Sequence, residues 1–175
     1  MQFNLISSTL MKKILIGVMG AGEKATATDC QNVYELGKLI AQQGWVLLTG
    51  GRNAGVLDAA SKGAKFAKGL TIGILPTNDT SAVSDAVDIA IVTDMGNARN
   101  NINVLSSDVV IACGMGAGTA SEIALALKNH KKVILLTNHS ESKVFFQSLS
   151  EDSILIANTP AAAIEIVREV LSDRL

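Results

Sequence analysis

The sequence predicts a three-layer α/β sandwich, a mainly parallel sheet of about seven strands with helices on both faces. Three observations carry that expectation. Short apolar runs alternate with longer segments of helical period, the pattern of repeated βαβ units. Apolar residues make up 48% of the 175, yet the aromatics among them are one Trp, one Tyr and four Phe, so Val, Ile, Leu and Ala must fill the core, as in sheets buried on both faces. Glycine and polar clusters follow the apolar runs directly, which gathers them on one edge of the sheet.

Strands are expected at 14–19, 45–49, 70–75, 87–92, 109–112, 133–136 and 154–157, each a short apolar run. After the first, Cys30, Val33, Tyr34, Gly37, Ile40 and Ala41 recur at helical spacing, and Gly44 ends that helix. Val56, Ala60, Gly63 and Ala67 mark the inner face of the next helix, which Gly69 stops. Arg99 opens a polar segment that should begin a helix on the glycine-rich edge, and a further helix spans 120–128. The last helix has Thr159 as cap, Pro160 in its first turn, and Ile164, Val167 and Leu171 as its inward stripe. No linker or repeat interrupts this series, so 11–175 reads as a single Rossmann-like ligand-binding domain, and 1–10, without charge or clear period, as an N-terminal extension.

Fifteen basic and sixteen acidic residues give a formal net charge of -1, which lacks the basic excess of a nucleic-acid partner. No apolar run approaches the roughly 18 residues of a membrane span. Lys12 and Lys13 before 14–19, with Ala25-Thr26-Ala27 after, imitate an export signal; Glu23, Lys24 and the interrupting Gly17, Gly20 and Gly22 speak against it. A cytoplasmic protein is therefore expected. Cys30 and Cys113 read as two reduced thiols, with a disulfide between them left open, and no metal site is expected, since His130 and His139 lie nine residues apart on different kinds of segment.

The strongest chemical motif is Gly114-Met115-Gly116-Ala117-Gly118-Thr119, set between a strand and a helix. Glycines let the backbone approach a ligand, and the first amides of the following helix then face an anion, phosphate above all. A mere strand-to-helix turn is the plainer reading, though three glycines exceed what a turn needs. Thr119 and Glu122 fit a capping box equally well as ligand contacts. Arg99-Asn100-Asn101-Ile102-Asn103 supplies a guanidinium and three amides, a donor set suited to phosphate. Gly20-Ala21-Gly22 fits the dinucleotide fingerprint weakly; Thr49-Gly50-Gly51 stands where a ribose-binding acid belongs, which argues against a nicotinamide site. Cys113 has no histidine placed to activate it and reads as a buried thiol.

Taken together, Gly50-Gly51, Gly55-Val56, Gly73-Ile74-Leu75-Pro76, Arg99 and Gly116-Ala117-Gly118-Thr119-Ala120-Ser121-Glu122 resemble the LONELY GUY-like superfamily, also described as SLOG or lysine decarboxylase-like, over residues 12 to 172. Within it, Arg99-Asn100 with Ser107-Asp108-Val109-Val110-Ile111-Ala112 is similar to the molybdenum cofactor carrier proteins. That resemblance implies a protein that binds and protects molybdopterin, the molybdenum cofactor, and delivers it to molybdoenzymes. It implies phosphate contacts from Gly114, Gly116, Ala117, Gly118 and Thr119, and further ligand contacts from Gly20, Gly22, Gly50, Gly51, Asn53, Arg99, Asn100, Met115 and Glu122. Homotetramers or homodimers are implied as well. The alternative is the superfamily's enzyme branch, the nucleoside 5'-monophosphate phosphoribohydrolases, in which Arg99 and Glu122 match the catalytic positions. Gly114 and Met115 replace that branch's Pro and first Gly, and Met115 puts a bulky side chain into the loop.

Overall fold

Seven short apolar runs form one sheet, whose central strands bury both faces under helices on both sides, while the edge strand at 89–92 stays exposed. The computed structural model describes residues 12–150 and 152–173, so the expected extension at 1–10 lies outside the described residues. Along the chain the elements are β1 (Leu15–Gly20), α1 (Ala27–Gln42), β2 (Val46–Thr49), α2 (Gly55–Phe66), β3 (Thr71–Leu75), β4 (Ile89–Val92), a 3-10 turn (Gly96–Ala98) and α3 (Arg99–Ser106). They continue as β5 (Val109–Cys113), α4 (Ala117–Lys128), β6 (Val133–Leu136), α5 (Ser140–Leu149), β7 (Ile154–Ile156) and α6 (Pro160–Ser172).

The strand order is β4-β3-β2-β1-β5-β6-β7, and every ladder between these strands is parallel. The chain winds outward from β1 in one direction, then returns to its other side through β5. The order thus reverses between β1 and β5, where Gly20 lies in register with Cys113. Loops that leave neighbouring strands in opposite directions open a crevice at such a point.

Period-two alternation sends the strands' side chains into two cores. Ile16, Val18, Val109 and Ile111 pack with Leu36, Val56 and Val167 beneath α1, α2 and α6. Met19, Val110, Ala112 and Leu135 pack with Val104, Ile123 and Phe146 beneath α3, α4 and α5. The two helices α1 and α2 touch through glycine: a Cβ at Gly37 would overlap the Ala60 carbonyl oxygen, and one at Gly63 would overlap that of Tyr34.

Local signals place the helix ends. Thr26 and Asp29 form a capping box at the start of α1, and Thr159 Oγ1 accepts from the Ala162 N–H at 3.1 Å beside Pro160. Gly44 (φ +73°) leaves the helical region after α1, as expected. After α2 it is Lys68 (φ +60°), rather than Gly69, that turns left-handed; Gly69 is needed for space, because a Cβ there would overlap that of Ala41. The fourth strand begins at Ile89 instead of 87, since the Asp88 carboxylate is used to accept from the Thr71 N–H at 3.0 Å.

Candidate functional site

At the reversal point, loops after β1, β2 and β5 and the start of α3 surround a cleft of about 360 Å³. Its lining includes Gly20, Gly22, Lys24, Arg52, Asn97, Arg99, Asn100, Gly116, Ala117, Gly118, Thr119 and Glu122. A volume of this size is in the range of small-molecule sites, roughly 300 to 1,000 Å³.

One wall is the tip of α4. Gly116 is the N-cap residue with extended backbone (φ -163°, ψ 171°), so Ala117, Gly118 and Thr119 form the first turn, whose amides lack intrahelical acceptors. A Cβ at Gly116 or Gly118 would meet nothing within 4 Å, which leaves the approach to those amides open. An anion at such a tip gains roughly 0.3 to 1 kcal/mol from the helix dipole, up to about 2 when partly buried. Thr119 adds a second donor: it is 1% exposed and its Oγ1 has no hydrogen-bond partner.

The capping-box reading of Thr119 and Glu122 is therefore corrected. The helix starts three residues earlier than the sequence pattern suggests, so Thr119 lies inside its first turn and cannot cap it. Glu122 is turned inward, 6% exposed, toward α3. There its Oε1 accepts from Asn103 Nδ2 at 3.0 Å and from Arg99 Nη1 at 3.3 Å, while Arg99 Nη1 also donates to Asn100 Oδ1 at 2.8 Å. Three of the polar residues of the Arg99 segment thus meet Glu122 or each other; Asn101 points outward, accepting a long bond from Asn129.

This pair is buried at a cost. Loss of solvent pulls the Arg99 guanidinium below its ordinary pKa against the pull of Glu122, and the nearby charge of Arg52 lowers it further. Burial raises the Glu122 carboxyl, with Asn103 and Arg99 opposing the rise. Arg99 Nε and Asn103 Oδ1 are also buried without partners. A polar network left incomplete in this way is costly for stability alone and can be completed by a ligand.

The other expected contacts fall into three groups. Gly50 serves Arg99, since a Cβ there would lie 2.8 Å from Nη2. Gly51 is packed against Gly73, and Asn53 is exposed, its N–H held by the Ala82 carbonyl at 2.8 Å; neither lines the cleft. Gly114 (φ +68°) makes the sharp turn out of β5, and with Met115 it lines an adjoining hollow that also includes Thr26, Asp29 and His139. Cys113 is fully buried and its thiol is pushed up to about 12 by burial, with Asp29 and Cys30 adding to the shift, which fits a buried thiol. Both cysteines are free.

Sequence reasoning passed over Arg52, Lys24 and Asn97, which also line the cleft. Arg52 was visible only as a cation inside a glycine-rich loop after a strand, Gly50-Gly51-Arg52-Asn53.

The SLOG cluster4 family model matches residues 13–164. The structure of the molybdenum cofactor binding protein from Rippkaea orientalis is similar at 63% identity with a TM-score of 0.91, covering 92% of this chain and 99% of that one. The molybdenum cofactor carrier protein of Chlamydomonas reinhardtii is similar at 50% identity with a TM-score of 0.87, again covering 92% and 99%. A cytokinin riboside 5'-monophosphate phosphoribohydrolase of Mycobacterium tuberculosis is 33% identical over 131 residues, 70% of each chain.

Proposed function

The chain belongs to the SLOG cluster4 family, and from that premise we propose that it binds the molybdenum cofactor, a phosphorylated pterin, protects it and delivers it to molybdoenzymes. One observation carries the chemistry: an open helix tip with an unpartnered buried hydroxyl at Thr119 shares a cleft with the incompletely bonded Arg99–Glu122–Asn103 set. The tip takes the phosphate through the amides of Gly116 to Thr119. Asn100, Arg99 and Glu122 offer the donors and acceptors that a pterin edge requires.

A second reading has specific support. Arg99 and Glu122, the positions that resemble the hydrolase pair, meet at 3.3 Å in the same cleft, and a phosphoribohydrolase is 33% identical. One experiment separates the two. Purified protein is incubated with AMP while free adenine is measured, and in parallel is titrated with molybdopterin. We expect saturable pterin binding and no adenine; adenine release that disappears in Glu122→Ala would overturn a pure carrier.

Self-association as a dimer or tetramer is part of the proposal. Ile89, Ile91 and Val92 on the edge strand β4, and Val144, Phe145 and Leu149 on α5, are large apolar side chains left exposed in one copy. Light scattering at micromolar concentration checks it. Among the described residues no helix is long and apolar enough to cross a membrane; a cytoplasmic setting, with both thiols reduced, completes the proposal.

A further inference from the structure

We propose that Arg52 is a ligand-binding residue that grips the phosphate from the side opposite the α4 tip, so that the cleft selects phosphomonoesters over the same molecules without phosphate. The assignment rests on the reading above in taking the ligand to be a phosphorylated small molecule.

The backbone around Arg52 is held at several points. Arg52 forms an isolated antiparallel bridge with Val83, the Asn53 N–H donates to the Ala82 carbonyl at 2.8 Å, and the Ser84 N–H donates to that of Gly51 at 2.9 Å. From this fixed base the side chain lies against the neighbouring β1 loop, on the cleft lining. There a Cβ at Gly22 would lie 2.7 Å from Nη2, so glycine at that position leaves the guanidinium its place.

Charge shows why it is there. Lys24, Arg52 and Arg99 line the cleft against Glu23 and Glu122, one cation more than the carboxylates. Glu122 is already engaged by Arg99 and Asn103. Among the described residues the Arg52 guanidinium has no acceptor and no ion-pair partner, and its field makes the nearby charge of Arg99 less favourable. An anion between Arg52 and the α4 tip would relieve both. A guanidinium fork binds a phosphate through two parallel bonds, which a lysine cannot reproduce.

The test is a cycle between residue and phosphate. Wild type, R52Q and R52K are titrated with molybdopterin and with its dephosphorylated form, each variant first being shown to melt as wild type does. Wild type should prefer the phosphorylated form, and R52Q should lose about ten- to a hundredfold of that preference while binding the dephosphorylated form equally well. R52K should recover part of it. Full preference retained in R52Q overturns the assignment. The same proteins are titrated with AMP: if wild type ignores both pterins yet binds AMP, and R52Q weakens that binding, the carrier reading fails and the role of Arg52 stands. Wild type that binds no phosphorylated probe overturns the assignment as well.

Discussion

The contact between α1 and α2 and the tip of α4 are both built on glycine, for opposite reasons. At Gly37 and Gly63 a methyl group would collide with the backbone of the facing helix, so the absence of a side chain lets two helices approach. At Gly116 and Gly118 a methyl group would touch nothing, so the absence keeps space for something else. The first region is satisfied within the protein. The second leaves a buried hydroxyl and two more buried polar atoms nearby unpartnered, a cost that a bound ligand would offset.

Breaking the second region should give the largest effect. Gly118→Leu should weaken phosphorylated-ligand binding about a hundredfold or more, the equivalent of about two charge-assisted bonds, while the melting temperature stays level or rises slightly because leucine favours helix over glycine. Calorimetric titration and a thermal melt read both; unchanged affinity would remove the α4 tip from the site.

Gly63→Ala tests the first region with the opposite outcome. In an open helix this change stabilises by about 1 kcal/mol. Against the Tyr34 carbonyl it should destabilise by about 2 to 3 kcal/mol, lowering Tm by about 4 to 12 °C. A Tm at or above that of wild type would mean the helices are not in contact there.

Thr119→Val sharpens the contrast, since it separates stability from binding at one atom. Removing an unpartnered buried hydroxyl should raise stability by about 1 kcal/mol and cost ligand affinity about three- to tenfold. Loss of both together would show that Thr119 has a structural role instead.

The smallest effect is a slope. Burial raises the Glu122 pKa in the folded chain, so the folded state holds that proton more tightly than the unfolded one. The resulting stability is complete below about pH 4, the ordinary glutamate range, and is lost as pH rises through the raised folded value. In denaturant titrations the stability of wild type relative to Glu122→Gln should therefore decline as pH climbs above about 4. A flat or rising difference would mean that Arg99 and Asn103 outweigh burial.

Much of the fold was legible because its central strands are buried on both faces, and uninterrupted apolar runs such as 109–112 and 133–136 survive as plain signals. The site was legible where glycine excess and a lone arginine stood out, at 114–119 and Arg99. It was misread where local pattern and tertiary packing disagree. Thr119-x-x-Glu122 has the letters of a capping box, yet the helix begins at Ala117 and Glu122 answers to Arg99 and Asn103, 23 and 19 residues away. The box that does form, at Thr26 and Asp29, ends in aspartate and drew no notice.

From the order of its residues alone, this chain determined the number of its strands, five of the six helices and the edge on which its glycines gather, because periodicity and chain direction are local properties; α5 (Ser140–Leu149) was not foreseen. Only the tertiary structure decided which loops meet. Putting β1 beside β5 joins Gly20 to Cys113, and so the first loop to the α4 tip, across more than half the chain. Strand neighbours that far apart are chosen by how two cores pack around a sheet, and no short window of sequence contains that choice.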